Sequence, residues 1–311
     1  MIGPNDLIAF VTFDGHVYAN QAVTRERLGQ PPESAHALKA ALAHWMRRRH
    51  VWMEVEGRRI QGIATARPLS APTAWEIDTL VDASDPGAEE TVVRSLLQQA
   101  QQNARDDEVT HLLVRLRANA PAVVGAMRAG FTQALGEQLW RAPVLRGLAM
   151  ANRAITVEMA SDADEHDLFM LYNRAVPVTA RSAIAMTHRE WRATREHHWL
   201  SRRSTSLVAR SGGQIVGSAR IVVARDRTNI ELLTAPEASG AAGALLAAVA
   251  PLCKRGQPVL TLAPAVAGSA AAELRASGFE PDEEFVVLSK RIARPVEETV
   301  TVSAGVAVPG G

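Results

Sequence analysis

Cysteine is almost missing from this sequence: Cys253 is the only one in 311 residues. An internal disulfide cannot form, a cysteine-rich metal site is excluded, and the usage suits a reducing compartment. Net charge is just as scarce, since 34 basic and 33 acidic side chains leave a formal +1. Such a balance gives no case for a nucleic-acid or membrane partner. No apolar run is long enough to cross a bilayer: the longest small-residue stretch, 240–253, is short and rich in alanine and glycine, where a spanning helix needs about 20 apolar residues. Residues 7–11 are apolar but lack a basic leader, so no signal peptide is read and a cytoplasmic location is expected. Tyrosine occurs only twice, as Tyr18 and Tyr172. What remains is 47% apolar and 22% charged, the composition of a globular protein with room for two domains of about 150 residues each.

One pattern occurs twice. Residues 51–64 and 206–219 each read as two short strands joined at a glycine turn, with Gly57 and Gly62 in the first and Gly212 and Gly217 in the second. A strand carrying acid follows each hairpin, with Glu76 and Asp78 in one copy and Glu231 in the other. Next come an amphipathic helix (89–105 or 240–252), an apolar strand (110–116 or 258–262) and a short helix. The copies then end alike, on Gly130-Phe131 and Gly278-Phe279, followed by strands over 137–141 and 284–290. Two α/β units in tandem are therefore expected, over residues 1–147 and 153–294, with 295–311 as a loose tail or an added edge strand.

The chemistry is expected to centre on 229–253. Glu231 lies on an apolar strand, Pro236 stops it, and Ser239 and Gly240 open a small-residue helix that Pro251 closes. Main-chain N–H groups at the start of a helix form an anion site. The plainer alternative is a crossover whose small residues let the helix pack closely on a sheet.

Taken in order, these residues resemble the GNAT superfamily of acyl-CoA-dependent N-acyltransferases over 51–142 and 156–291. The resemblance implies a mixed, mostly antiparallel twisted sheet flanked by helices, in two copies. It implies two splayed central strands with the pantetheine arm of acetyl-CoA between them, and the pyrophosphate on the loop after the first of those strands. Carried onto this sequence, it assigns Ser239, Gly240, Ala241, Ala242 and Gly243 to the phosphates and Asn119 to the cofactor chain. Glu231 becomes the base acting through a water, and the N–H of Leu232 or Leu233 the oxyanion donor. The acceptor would be a primary amine in a small molecule or a peptide.

The sequence departs from the family at three points. Glu237 stands where the phosphate loop has a glutamine or arginine; facing a phosphate at about 5 Å it would cost about 3 kcal/mol per unit charge, and little if turned to solvent. The first copy surrounds its helix start with Asp85, Glu89 and Glu90, which satisfy the helix dipole themselves. No tyrosine follows either fifth strand to protonate the leaving thiolate, so Ser269 or water would substitute. These departures keep a second reading in play, a binding or scaffold protein that retains the fold without turnover.

Helices over 162–175 and 187–203 are expected to cover the second copy, the latter capped by Thr187 with Glu190 in the capping box. Its arginines and tryptophans suit an anionic acceptor, a nucleic-acid contact or, more simply, an amphipathic face, and His197 and His198 cannot face one way to hold a metal. The oligomeric state is not legible.

Overall fold

The computed structural model describes residues 18–30, 34–35, 50–57, 59–84, 89–145, 154–195, 204–265 and 268–293. The expected linker between the copies, the first phosphate loop at 85–88, residues 196–203 and the tail fall outside them. The first copy runs β1 (His50–Glu56), β2 (Arg59–Pro68), β3 (Ala74–Asp82), α1 (Glu89–Asp106), β4 (His111–Arg117), α2 (Ala122–Arg128) and β5 (Thr132–Ala142). Before the second copy come β6 (Ile155–Met159) and the covering helices α3 (Glu165–Ala175), α4 (Val178–Ile184) and α5 (His188–Thr194). The second copy repeats the order as β7 (Ser204–Ser211), β8 (Gln214–Val223), β9 (Thr228–Thr234), α6 (Ala241–Val249), β10 (Val259–Pro264), α7 (Gly268–Ala276) and β11 (Glu280–Arg291). Short pieces precede the first copy: a two-residue pair, Tyr18–Ala19 with Ser34–Ala35, and a turn of 3₁₀ helix at Arg25–Arg27. The fold is α/β, mixed and mostly antiparallel, as the repeat predicts.

All eleven strands share one sheet, in the order β1-β2-β3-β4-β11-β5-β10-β9-β8-β7-β6. Among the described residues, only β3 with β4 and β9 with β10 pair in parallel. The closing strands change places: β11 lies beside β4, and β5 lies beside β10. Each copy thereby completes the other's core. Val286, Leu288 and Ile292 of the second copy join Leu80, Leu96 and Leu116 of the first. In return Trp140 and Ala142 pack with Ile230, Leu232 and Leu245.

The hairpin glycines have one physical task in both copies. A Cβ on Gly62 would lie 2.5 Å from Val92 Cγ1 of α1 and 2.9 Å from the Val81 carbonyl; on Gly217 it would lie 2.9 Å from Leu245 Cδ1 of α6. No other residue lets each helix lie this close to its hairpin. In α5 the capping box forms as predicted: Thr187 Oγ1 accepts from Glu190 N at 3.2 Å, and Glu190 Oε2 accepts from Thr187 N at 3.1 Å. The helix stops at Thr194, with Arg195 extended, so the expected continuation toward 203 is not seen in the described residues. No described helix is long and apolar enough to cross a membrane.

Candidate functional site

The two parallel strand pairs both part midway, and the chain treats the two gaps differently. In the first copy, β3 and β4 pair from Ala74 with His111 to Ile77 with Val114 and then separate. Residues 20–23 enter the gap as an extended segment, with antiparallel bridges from Asn20 to Val81 and from Ala22 to Leu116. Gln21 N donates to Leu80 O at 2.8 Å, and Val23 N to Arg115 O at 2.9 Å. Asn20 is 4% exposed; its Oδ1 accepts from Leu80 N at 2.8 Å and Ala22 N at 3.0 Å, while its Nδ2 donates to Asp78 O at 3.1 Å. Gln21 Oε1 accepts from Ala122 N at the start of α2, at 3.0 Å.

This gap is closed by the protein's own chain. Asn119, expected to meet the cofactor chain, sits exposed on the turn after β4 beside the closed gap, in the copy opposite to Glu231. The acids of β3 are structural here. Glu76 accepts from Arg67 Nε at 2.9 Å, and Asp78 Oδ1 accepts from Thr65 Oγ1 at 2.7 Å, both deeply buried.

In the second copy, β9 and β10 pair from Thr228 with Val259 to Glu231 with Leu262 and then part. A cavity of about 260 Å³ lies at the opening, walled by Leu232, Leu233, Leu262 and Pro264 with Tyr172 and Trp191 from the covering helices. A second of about 290 Å³ lies beside Asn229, Leu260 and Glu231. Bulky side chains therefore do not fill the gap. Thr228 N–H donates to Pro258 O beside β10, and Ala235 N–H to Val216 O beside β8. Strand alternation then turns the main-chain groups of Leu232 and Thr234 toward the gap, while Leu233 pairs with Ser218 of β8. Of the two expected oxyanion donors, Leu232 is the one on the gap's edge.

Glu231 faces both cavities and is not isolated. Arg25 reaches over from the segment that closes the first gap, its Nη1 3.5 Å from Glu231 Oε2 and its Nη2 3.4 Å from Glu137 Oε1. Arg220 lies opposite Glu231 in the β8–β9 register. The side chain of Glu231 is 26% exposed against 5% for Glu137, so Glu231 alone of this pair reaches water readily.

The phosphate loop holds the main surprise. Glu237 turns outward, 61% exposed, with its Oε1 3.3 Å from Arg174 Nη1; the repulsion considered for an inward carboxylate does not arise. A different acid takes the helix start. Glu273 of α7 accepts from Gly240 N at 2.8 Å through Oε1 and from Gly243 N at 2.6 Å through Oε2. Gly240 caps α6 with φ +88°, a left-handed conformation suited to glycine. Ser239 N donates to Glu237 O and Ala241 N to Ala238 O, at 3.2 Å each, while Ala241 and Ala242 are buried in the core. The expected anion site forms, and its anion is the protein's own.

Three residues that sequence reasoning missed converge on the second copy: Arg25, Glu273 and Tyr172. Tyr172 is absent from the family's tyrosine position but enters the same cavity from α3, where its hydroxyl donates to Ala185 O at 3.4 Å. Burial pushes its pKa well above the ordinary phenol range. The signal was its rarity; nothing in the local sequence points to its direction. Ser269, the expected substitute, has a side chain outside the described residues.

No protein-family model and no curated protein matches the sequence. Solved structures do. A functionally unknown conserved protein from Staphylococcus epidermidis ATCC 12228 aligns at 15% identity over 74% of this chain and 91% of its own, with a TM-score of 0.51. A GCN5-related N-acetyltransferase from Sphaerobacter thermophilus aligns at 13% identity over 89% and 96%, with a TM-score of 0.50. A tandem GNAT protein from the clavulanic acid biosynthesis pathway aligns at 16% identity over 93% and 94%, at 0.49. At identities this low the likeness speaks for the fold alone, and the first two alignments carry it. Together with the repeated strand order and the two parting strand pairs, they give this chain the fold of the GCN5-related N-acetyltransferases, the GNAT superfamily, in two copies on one sheet.

Proposed function

We propose that the chain is an N-acyltransferase with one working site, the opening between β9 and β10, which acylates a primary amine of a small molecule or peptide from acetyl-CoA or a similar donor. The observation that carries this reading is the contrast between the gaps: the second keeps a cavity where residues 20–23 fill the first. The main-chain edge of Leu232 and Thr234 suits a pantetheine arm. Of the expected phosphate amides, those of Gly240 and Gly243 suit its phosphates once Glu273 leaves them, while those of Ser239 and Ala241 stay bonded within the loop. When bound, the acyl-CoA would supply a thioester carbonyl reactive toward an amine. Glu231 takes the ammonium proton through a water, its carboxylate oriented by Arg25. Leu232 N–H faces the charge that builds on the carbonyl oxygen. Tyr172 stands in the same cavity, but burial makes its hydroxyl a weak acid, so water shares the protonation of the departing sulfur.

Calorimetric titration with acetyl-CoA, followed by thioester cleavage over a panel of amines, tests this reading. Glu231→Gln is expected to spare binding and lower turnover about 10²–10⁴-fold, the usual worth of a general base. Tyr172→Phe should lower turnover less. The alternative, a scaffold that retains the fold without turnover, is favoured by one specific observation: Glu273 already satisfies the amides a phosphate would need. Failure of acetyl-CoA to bind both the wild type and Glu273→Ala would decide for the scaffold.

A further inference from the structure

The cavity at the β9–β10 opening is charged unevenly. Four arginines line it, Arg25, Arg115, Arg195 and Arg220, against two acidic residues, Glu137 and Glu231. Two of the four are committed to those acids: Arg115 Nε lies 2.6 Å from Glu137 Oε2, and Arg25 bridges Glu137 and Glu231. Arg220 sits across from Glu231.

Arg195 stands apart, because its guanidinium makes no hydrogen bond or ion pair among the described residues. It is nonetheless held in place. Its carbonyl accepts from Ser70 N at 3.0 Å and from Ser70 Oγ at 2.5 Å, and its Cζ lies 4.9 Å over the ring of Trp191. Stacking on an indole fixes the plane of the guanidinium and leaves its edge for a ligand. Partial desolvation, then the like charge of Arg220, lower its pKa from the ordinary value; Glu231 and Glu165 offset only part of this. Arg195 is solvent-exposed, so its edge stands open to a ligand at the rim of the cavity. Leu168, Val176, Leu233 and Leu262 wall the remainder with apolar surface.

We infer that the acceptor amine also bears a carboxylate, received by Arg195 with Arg220 beside it, while the amine is left toward Glu231 and Glu137. The ligand class is an amino acid or similar small amino-carboxylate with an apolar body; this rests on the acyltransferase reading of the same cavity. A planar two-oxygen anion matches the fork of an arginine, and the acids in the same cavity suit an ammonium at the other end.

The test needs no acyl donor. N-acetylated alanine, leucine and phenylalanine are titrated calorimetrically into the full chain, each against its uncharged amide. The acid of at least one pair is expected to bind about tenfold to a hundredfold more tightly than its amide, the range for a charge-assisted pair. Arg195→Gln should erase the preference and leave amide binding unchanged, and Arg195→Lys should retain part of it. Equal binding of acid and amide, no binding of any pair, or a preference intact in Arg195→Gln would overturn the inference. So would Arg195-dependent binding of inorganic phosphate without binding of the acids. Acetyl-CoA titrated separately distinguishes the two failures: an Arg195-dependent acid preference in a protein that binds no acetyl-CoA upholds the carboxylate seat and removes the transferase reading.

Discussion

Replacing Glu273 should trade stability of the helix start for affinity toward a phosphate-bearing ligand. Its carboxylate accepts two main-chain hydrogen bonds, from Gly240 at 2.8 Å and Gly243 at 2.6 Å. A hydrogen bond to a charged group contributes about 1.5–3 kcal/mol, and a charge at a helix N-terminus about 0.3–1. Glu273 is only half-buried and water can take over the amides, so Glu273→Ala should cost about 1.5–3 kcal/mol in total, a few degrees in Tm. The same carboxylate opposes a pyrophosphate. At about 5 Å and an effective dielectric near 20, each like-charge pair costs about 3 kcal/mol before screening, which allows roughly a tenfold to hundredfold tightening of acetyl-CoA when the charge goes. Glu273→Gln separates the effects, since it keeps the size and one acceptor while removing the charge. The assay is calorimetric titration beside thermal unfolding. If Glu273→Ala and Glu273→Gln bind acetyl-CoA no more tightly than the wild type, Gly240 and Gly243 are not the phosphate seat.

Three further outcomes are expected. Asn20→Ala strands the N–H groups of Leu80 and Ala22 in the buried gap, while the carbonyl of Asp78 keeps its hydrogen bond from Arg27 Nη1; a loss of about 2–3 kcal/mol follows, read by urea unfolding together with faster hydrogen exchange at Leu80. Asp164 has its pKa lowered, first by the hydrogen bond from Ser161 N and further by Ser161 Oγ and Arg210. A depressed acid stabilises the fold fully above its unfolded pKa near 4, and that stability is lost as pH falls through the lower folded value; Asp164→Asn should therefore flatten the acid limb of a urea-midpoint profile between about pH 5 and 2. Gly62→Ala should destabilise more than Gly217→Ala, because the added methyl meets a β-branched side chain and a carbonyl in the first case and the end of a leucine in the second; overpacking of this kind costs about 1–3 kcal/mol, measured as the difference between the two urea midpoints.

Much of the architecture was legible because it is local. The glycines at the hairpins, the capping box at Thr187 and the Gly-Phe closures each act within a few residues of themselves, and the repeat displays each of the glycine features twice. Glu231 could be placed on its strand for the same reason. The features that decide the site are long-range. Residues 20–23 reach β3 and β4 across some sixty and ninety positions of sequence, as in the bonds of Gln21 to Leu80 and Val23 to Arg115. Glu273 is a lone acid on an alanine-rich helix, and nothing local says that it faces the N-terminus of another. Asn119 was a fair match by residue type, but the groove beside it is taken by a segment whose sequence carries no mark of that role. Glu237 drew attention by its position in the loop, and its direction was set by Arg174, on a helix far back in the chain.

The exchange of closing strands has a consequence for the two copies as separate units. β5 pairs with β10 and β11, both from the second copy, and β11 pairs with β4 and β5, both from the first. A fragment of residues 1–147 could fold alone only if β5 took the place of β11 beside β4. Aligning Phe131 with Phe279 shows what that would do: Glu137 would stand where Phe285 is 1% exposed, and Gln138 where Val286 is 7% exposed. Burying a carboxylate and an amide in place of two apolar side chains forfeits about 1.5–3 kcal/mol of hydrophobic burial at each position, before any desolvation penalty. That approaches the whole stability of an ordinary domain, about 5–15 kcal/mol. Fragments 1–147 and 153–311 are therefore expected to lack cooperative unfolding when separate and to associate one to one when expressed together, recovering the near-ultraviolet circular dichroism of the intact chain. Cooperative unfolding of fragment 1–147 alone would mean that β5 is tolerated beside β4, and that the exchange joins two units each able to close by itself.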